Sequence, residues 1–339
     1  MLLSVGGTWH LPGTTTHGRR CAAPFACRVT LWIRGAVAAA VLLLLTATST
    51  SAAEVLLILS SDVGPYHEVA AELTNRLKAR GDTCQTNVLQ TVQNQGDAAK
   101  TIAAADYLVA IGCEAAVWLR DHRPKGEALF YCMVSDPEGL GLTSDPTCFG
   151  VTTDIPIHQQ FEVIVDALPK TRTIGLLYRS DTPKGQQLLA RVEAALPDGW
   201  SLCSVPVDQY QGPAEAIDAL LKQDVDVIWT APDSEVFDIA TIRSLLLQSL
   251  RRQKPVFGYS TPLVGAGALV GVGVNPRTQA AQTDELIQQR SANPTDSFEK
   301  VHVPRYEIAV NLIVADQINV KLSTASIDQA AHVFGREGK

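Results

Sequence analysis

A basic surplus is missing from this sequence: 28 Lys and Arg stand against 35 Asp and Glu, a formal net charge of −7. Without excess cations to neutralise phosphates, a nucleic-acid partner would need a local basic patch, and no run of Lys and Arg supplies one. Metal signatures are missing too. The seven cysteines include no Cys-x-x-Cys and the seven histidines have no spaced partners, so neither a metal site nor a cofactor is expected. There is also no Gly-x-x-x-x-Gly-Lys-Ser/Thr loop, no Gly-x-Ser-x-Gly elbow and no His-Glu-x-x-His helix. Their absence removes the motifs by which phosphoryl transfer, acyl transfer and metalloproteolysis are most readily read from sequence. No catalytic residue is therefore expected, although a triad assembled in space would escape this reading. What is present is 46% hydrophobic and only 19% charged residues over 339 positions, enough for one large core or two ordinary ones.

One long apolar run stands out, at 35–45, preceded by Arg28 and Arg34 and followed by small residues through Ala53. That order is the one found in secretory signals, with cleavage expected just before Glu54 and a periplasmic mature protein. A retained membrane anchor ranks second, because the run is shorter than the roughly 20 apolar residues that span a bilayer. No cysteine follows at the cleavage point, which argues against a lipid-anchored N-terminus. Residues 1–26 read as neither signal nor fold, and a start codon placed too far upstream is the simplest explanation. Cys84, Cys113, Cys132, Cys148 and Cys203 remain after cleavage. An odd number leaves at least one thiol free or bridged to another chain. Cys132 with Cys148 is the expected pair if a bridge forms, the alternative being that all five are small buried hydrophobes.

From Glu54 onward short apolar runs alternate with amphipathic stretches, the grammar of βαβ units and parallel sheets. Strands are expected at 55–59, 85–89, 107–111, 128–134 and 149–152, with helices at 66–79, 98–104 and 114–120. A second set follows, with strands at 173–178, 201–207, 225–230 and 255–258 and helices at 158–168, 185–196, 214–222 and 234–252. A Gly-rich stretch at 264–274 reads as loop then strand, 276–289 as helix, 291–297 as a surface loop, 302–303 as a short strand and 308–318 as an apolar helix. The fold class expected is α/β, two Rossmann-like lobes with parallel sheets. The first lobe is placed at 54–153 with part of 262–320 returning to it, the second at 154–261, and a tail at 321–339. Because a strand and a helix follow the second lobe, the chain should cross more than once and form a stiff hinge.

In open α/β sheets ligands sit beyond the carboxyl ends of the strands, so those loops are the places to look. After the first strand come Ser60, Ser61, Asp62 and Tyr66, read either as a ligand-facing loop with Ser61 as donor and Tyr66 as aromatic wall, or as a helix cap by Asp62 or Ser61. After the third come Gly112, which lets backbone approach an anion, and Cys113, for which no activating base is identifiable. After the fourth come Ser135 and Asp136, facing a cleft or closing a turn ahead of Pro137. The second set contributes Tyr178, Asp181, Asp233, Ser234 and Tyr259, a mixture of rings, carboxylates and hydroxyls suited to a polar small molecule; as caps, Asp181, Asp233 and Ser234 would be ordinary.

The stretches DYLVAIG at 106–112, VSDPEGLGL at 134–142, GVTTD at 150–154, LPK at 168–170, IGLLY at 174–178 and GAGALVG at 265–271 together resemble the ABC-transporter substrate-binding family that includes tryptophan- and tyrosine-binding lipoproteins. The resemblance covers nearly the whole mature chain. It implies a periplasmic-binding-protein type I fold with three crossovers, a small solute such as an amino acid held between the lobes, and a membrane ABC permease as partner. A monomer is expected. In such relatives a threonine commonly stands where Cys113 is here, and 94–97 follows the usual pattern. Ser61, Gly112, Cys113 and Ser135 are the expected polar contacts from the first lobe, with Tyr66 and Asp136 beside them; Tyr178, Asp233 and Tyr259 come from the second. Two other classes compete: an extracytoplasmic sensor for a membrane kinase, and a two-lobed racemase, which would need a second strand-end cysteine facing Cys113 that Cys203, inside a strand, does not provide.

Overall fold

The computed structural model describes residues 52–94, 96–293 and 299–335. The expected signal segment lies outside the described residues apart from Ala52 and Ala53, and so does most of the 291–297 loop. No helix among the described residues is long and apolar enough to cross a membrane.

The chain opens with β1 (Glu54–Leu59), α1 (Gly64–Ala79), β2 (Thr83–Val88), α2 (Leu89–Asn94), α3 (Ala98–Ala103), β3 (Tyr107–Ile111), α4 (Cys113–His122), β4 (Leu129–Val134) and β5 (Cys148–Thr152). It continues with α5 (Ile157–Ala167), β6 (Thr173–Tyr178), α6 (Pro183–Ala195), β7 (Ser201–Pro206), α7 (Pro213–Leu221), β8 (Val227–Trp229), α8 (Ile239–Arg251), β9 (Val256–Gly258), α9 (Thr261–Ala266) and β10 (Val270–Val274). Last come α10 (Pro276–Ala292), β11 (Val301–His302), β12 (Tyr306–Asn311), α11 (Leu312–Gln317), α12 (Thr324–Gln329) and β13 (His332–Phe334). Two sheets result, ordered β11-β5-β4-β3-β1-β2 and β13-β12-β10-β9-β8-β6-β7. Every pairing is parallel except β10 with β12.

The continuous apolar strands are explained by burial on both faces. In β1, Val55, Leu57 and Leu59 pack with α1 and α10, whereas Leu56 and Ile58 pack with α2 to α4. The second sheet buries Leu176, Trp229, Phe257 and Val272 with Phe161 of α5 in a separate cluster.

Several expectations need correction. The run 308–318 is not one helix: β12 occupies its first residues and α11 the rest, with Asn311 at the junction accepting Val314 N–H at 3.1 Å and donating to Val264 O at 2.9 Å. A short apolar run has no periodicity that distinguishes strand from buried helix, and the Asn side chain settles it by capping. Residues 321–335 are no tail, since β13 pairs in parallel with β12 at the edge of the second sheet. The Gly-rich stretch begins inside α9 rather than as loop, behind Pro262 and a Ser260 cap. Cys132 and Cys148 are both free. They lie in adjacent strands, but Cys132 points into the α1/α10 side and Cys148 into the opposite side, so no bridge is possible across the sheet.

The chain passes between the sheets at 153–156, at Asn275 and at 303–305. At these points the backbone has no ladder, yet its polar groups still require partners. Buried glutamines supply them. Gln160 of α5 donates to Ile155 O at 2.8 Å and accepts from Trp229 Nε1 at 3.0 Å. Gln279 of α10 donates to Thr152 O at 3.1 Å, and Gln282, one turn on, donates to Val303 O at 3.1 Å and accepts Arg305 N–H at 2.8 Å. Trp229→Phe strands the Gln160 carbonyl and leaves a void where the indole's fused ring was, and should lower unfolding free energy by about 2–4 kcal/mol. Urea denaturation followed by circular dichroism checks it, and a change within error would show that the bond carries nothing.

Candidate functional site

The crossings locate the site. A single residue, Asn275, joins the carboxyl end of β10 to α10, which packs on α1, β4 and β5 of the first sheet. The first crossing likewise leaves the carboxyl end of β5. Links this short bring the carboxyl edges of both sheets to the hinge side, so the strand-end loops of the two sheets share one region.

At the first sheet the loops are tightly organised. Ser60 Oγ accepts Ala115 N–H at 2.9 Å, satisfying an otherwise orphaned donor in the first turn of α4. Gly112 has φ +98°, and a Cβ there would lie 2.5 Å from Ser60 Oγ and 2.8 Å from the Tyr66 ring. Tyr66 therefore lies directly over the glycine, half-buried, and burial raises its phenol above the ordinary value, keeping it a protonated donor. Cys113 Sγ sits 3.7 Å from Ser135 Oγ and 3.8 Å from Ser135 O. The structure thus brings Tyr66, Gly112, Cys113 and Ser135 together. Ser61 is exposed and no cap, and Asp62 pairs with His67 instead of capping α1, whose first turn has no side-chain cap. Asp136 follows its turn reading: Oδ1 accepts Gly139 N–H at 3.0 Å, and its own N–H is donated to Asp154 Oδ2 at 2.7 Å.

Ser135 owes its placement to an irregularity that sequence does not display. Between the Tyr131/Gly150 and Val134/Thr152 pairs, β4 carries one residue more than β5. Met133 takes φ +55°, and its N–H is donated to Gln279 Oε1 at 3.0 Å. After this bulge Val134 points to the same side as Tyr131, so the following Ser135 is swung toward Cys113.

At the second sheet, Tyr178 and Tyr259 are partly buried against the core, and burial raises the Tyr259 phenol. The hydroxyls of Tyr66, Tyr178 and Tyr259 make no hydrogen bond to another described residue. Asp233 is 4% exposed; Oδ1 accepts Glu235 N–H at 3.2 Å and faces Lys184 Nζ at 3.3 Å. It holds its own turn, while α8 is capped by Asp238 and α6 by Thr182. Asp181 is no cap either: it pairs with Arg179, which lowers its carboxyl below the usual range. Sequence reading placed Ser60 in the loop without a role of its own and overlooked Lys184 and Gln279, and also Asp208, whose carboxylate takes both the Ser180 hydroxyl and amide at 2.6 Å. None carries a motif, because each acts through a partner distant in the chain.

Two grooves lie elsewhere. One, of about 690 Å³, opens at the amino ends of β6, β8 and β9 between Lys170, Lys254 and Lys321; the other, of about 660 Å³, is an apolar furrow between α8 and α11. Neither is lined by carboxyl-end loop residues of the first sheet, so neither is the shared site. No cluster of His, Cys, Asp or Glu among the described residues could hold a metal ion.

Residues 68–334 match the family described as ABC transporter substrate binding protein. Among solved structures, a conserved domain protein from Vibrio cholerae is 20% identical with TM-score 0.58, covering 84% of this chain and 100% of its own. An ABC domain in complex with L-Trp from Streptococcus pneumonia gives the same four values. The ligand-free, open structure of a substrate binding protein with adhesive properties from Clostridium difficile is 16% identical with TM-score 0.70, again covering 84% and 100%. These likenesses show the periplasmic-binding-protein type I fold. Curated proteins give no match.

Two measurements probe the site. Gly112→Ala forces a side chain into a left-handed backbone against Ser60 and Tyr66, and should cost about 2 kcal/mol or more in urea denaturation. At pH 8, iodoacetamide should label Cys113 and spare Cys132 until the protein unfolds, because burial pushes the Cys132 thiol up to about 12 and leaves roughly one part in ten thousand ionised. Peptide mass spectrometry reads both, and equal labelling in the folded state would contradict the geometry.

Proposed function

Because the chain belongs to the ABC transporter substrate binding protein family, we propose that it captures an amino acid or a related small solute between two lobes and presents it to a membrane ABC permease. The observation that carries this reading is the set of partly buried tyrosines at strand ends of both sheets, Tyr66, Tyr178 and Tyr259, whose hydroxyls have no hydrogen-bond partner among the described residues. Half-buried phenols can stack on a solute and bond it at once. The first lobe is assigned 54–153 together with the returning α10 and β11, and the second the remaining strands.

Ser61, Gly112, Cys113 and Ser135 are the polar contacts proposed from the first lobe, with the Gly112 region suited to a carboxylate through outward amides at the start of α4. Tyr178, Asp233 and Tyr259 close from the second. The buried Asp233 carboxylate accepts Glu235 N–H on Oδ1 and has an exposed Lys184 ammonium as its one ion-pair partner among the described residues, which favours a solute bearing an ammonium group. The L-Trp complex of the Streptococcus pneumonia structure supports an amino-acid class. No hydrogen bond joins the first-sheet loops to the second-sheet loops among the described residues, which suits a ligand that bridges them and stabilises the closed arrangement by its differential affinity alone. No bond of the solute is broken in this reading. The protein is placed in the periplasm as a monomer, delivered there by the 28–53 segment.

A thermal-shift screen of protein beginning at Glu54 against amino acids, purines and sugars should raise Tm by several degrees with an amino acid, since a ligand at a hundred times Kd adds about 2.7 kcal/mol. Tyr178→Ala with Asp233→Ala should then weaken that solute at least about tenfold. Unchanged affinity in the double variant, or conversion of any bound compound, would remove the proposal.

A further inference from the structure

Gln279 touches the site and the hinge with one side chain. It is fully buried, and its amide oxygen takes the Met133 N–H at 3.0 Å, the donor that the left-handed bulge turns away from the strand ladder. Its amide nitrogen donates at 3.1 Å to Thr152 O, the last residue of β5 before the first crossing. Its backbone belongs to the first turn of α10, which begins immediately after the second crossing at Asn275. Thr283 Oγ1 donates to Gln279 O at 2.8 Å and stiffens that turn. Val134, next to the bulge, is tied to the same crossing twice: its carbonyl accepts Thr152 Oγ1 at 3.0 Å and Thr153 N–H at 2.8 Å. A side chain buried this deeply with both ends bonded has no second rotamer that keeps its partners.

We propose that Gln279 is a positioning residue that couples the loop carrying Ser135 to the first crossing, so that displacing the loop and moving the hinge are one event. It meets the solute only through Ser135, and it rests on the reading of the strand ends as the binding site. Thr152 Oγ1 at Val134 O and Asp154 Oδ2 at Asp136 N–H also hold this segment, but Gln279 is the side chain that takes the Met133 amide and joins the bulge to α10. When a ligand presses on Ser135, the Met133 amide shifts against a fixed acceptor, and Gln279 passes that displacement to Thr152 and to the start of α10. Two of the three crossings therefore feel the occupancy of the first-sheet loops directly. Gln282, one helical turn further, extends the same rigid helix to the third crossing.

The test needs no solute. In a Cys84→Ala, Cys203→Ala background, 5,5′-dithiobis(2-nitrobenzoate) forms a mixed disulfide with Cys113 and releases thionitrobenzoate. The adduct grows from Cys113 Sγ, which lies 3.7 Å from Ser135 Oγ, and is expected to push the loop as a ligand would. Hydrogen exchange at residues 152–157 is then read with and without the adduct. The expected result is an increase of about tenfold at the crossing that is absent in Gln279→Leu and retained in Leu286→Ala, a variant of the same helix that loses packing but no tie. Gln279→Glu gives a second readout: its neutral carboxyl can accept from Met133 and donate to Thr152, whereas its carboxylate cannot donate. The response should therefore be present at mildly acidic pH and lost at alkaline pH. Persistence of the response in Gln279→Leu, its loss in Leu286→Ala, or no response in the parent protein overturns the coupling. Since no solute enters, these outcomes stand apart from a failed thermal-shift screen.

Discussion

A chain that passes three times between two sheets must leave the ladders each time, and the backbone groups freed there have to be satisfied without strand partners. The structure meets this with buried amide side chains. Glutamine has a donor and an acceptor at the end of a flexible arm, so one residue can serve a carbonyl and an N–H on different segments. Gln160 secures the first crossing to β8, Gln279 secures it to β4, and Gln282 secures the third to α10. Asn275, the second crossing itself, caps α10 through Oδ1 and donates to Glu307 at 2.9 Å, and Glu307 faces His332 of β13 at 2.8 Å. The two halves are joined by a network with directional geometry and not by an apolar interface, whose contacts would tolerate sliding.

The proposed binding region inherits its geometry from that network. Parallel strands deliver their carboxyl ends to one edge, and the following helices begin there with free amides. What distinguishes this chain is how those ends are trimmed. Ser60 occupies an amide that a ligand could otherwise use, Tyr66 roofs Gly112, and the β4 bulge turns Ser135 toward Cys113. The site is therefore furnished mainly by hydroxyls, a thiol and rings. Its carboxylates, Asp136 and Asp233, are largely engaged in their own turns. Ion pairs elsewhere, such as Arg305 with Glu285 and Lys100 with Asp97, are exposed and screened, and contribute little to stability.

How much could be read in advance differed by kind of feature. The strands whose apolar runs are buried on both faces, β1, β3, β6 and β10 among them, were legible because nothing else explains a run such as VLLIL between amphipathic helices. The strand-end candidates were legible because βαβ order places loops at carboxyl ends, and Tyr66, Gly112, Cys113 and Ser135 do gather. The region after 260 was misread where a strand and a helix share one apolar run, and where a seemingly polar tail supplies the edge strand β13. Edge strands need little apolar content, so their pattern is weak.

The amino-acid sequence by itself determined the α/β class, the double set of strands, the lack of a basic surplus and the strand-end loops, because hydrophobic period and loop chemistry act over a few residues. Only the tertiary structure decided the opposite facing of Cys132 and Cys148, the capture of the Ala115 amide of α4 by Ser60, the bulge at Met133 and the role of Gln279. Each depends on a partner twenty or more residues away whose arrival is set by packing, and no local propensity encodes a distance of that kind.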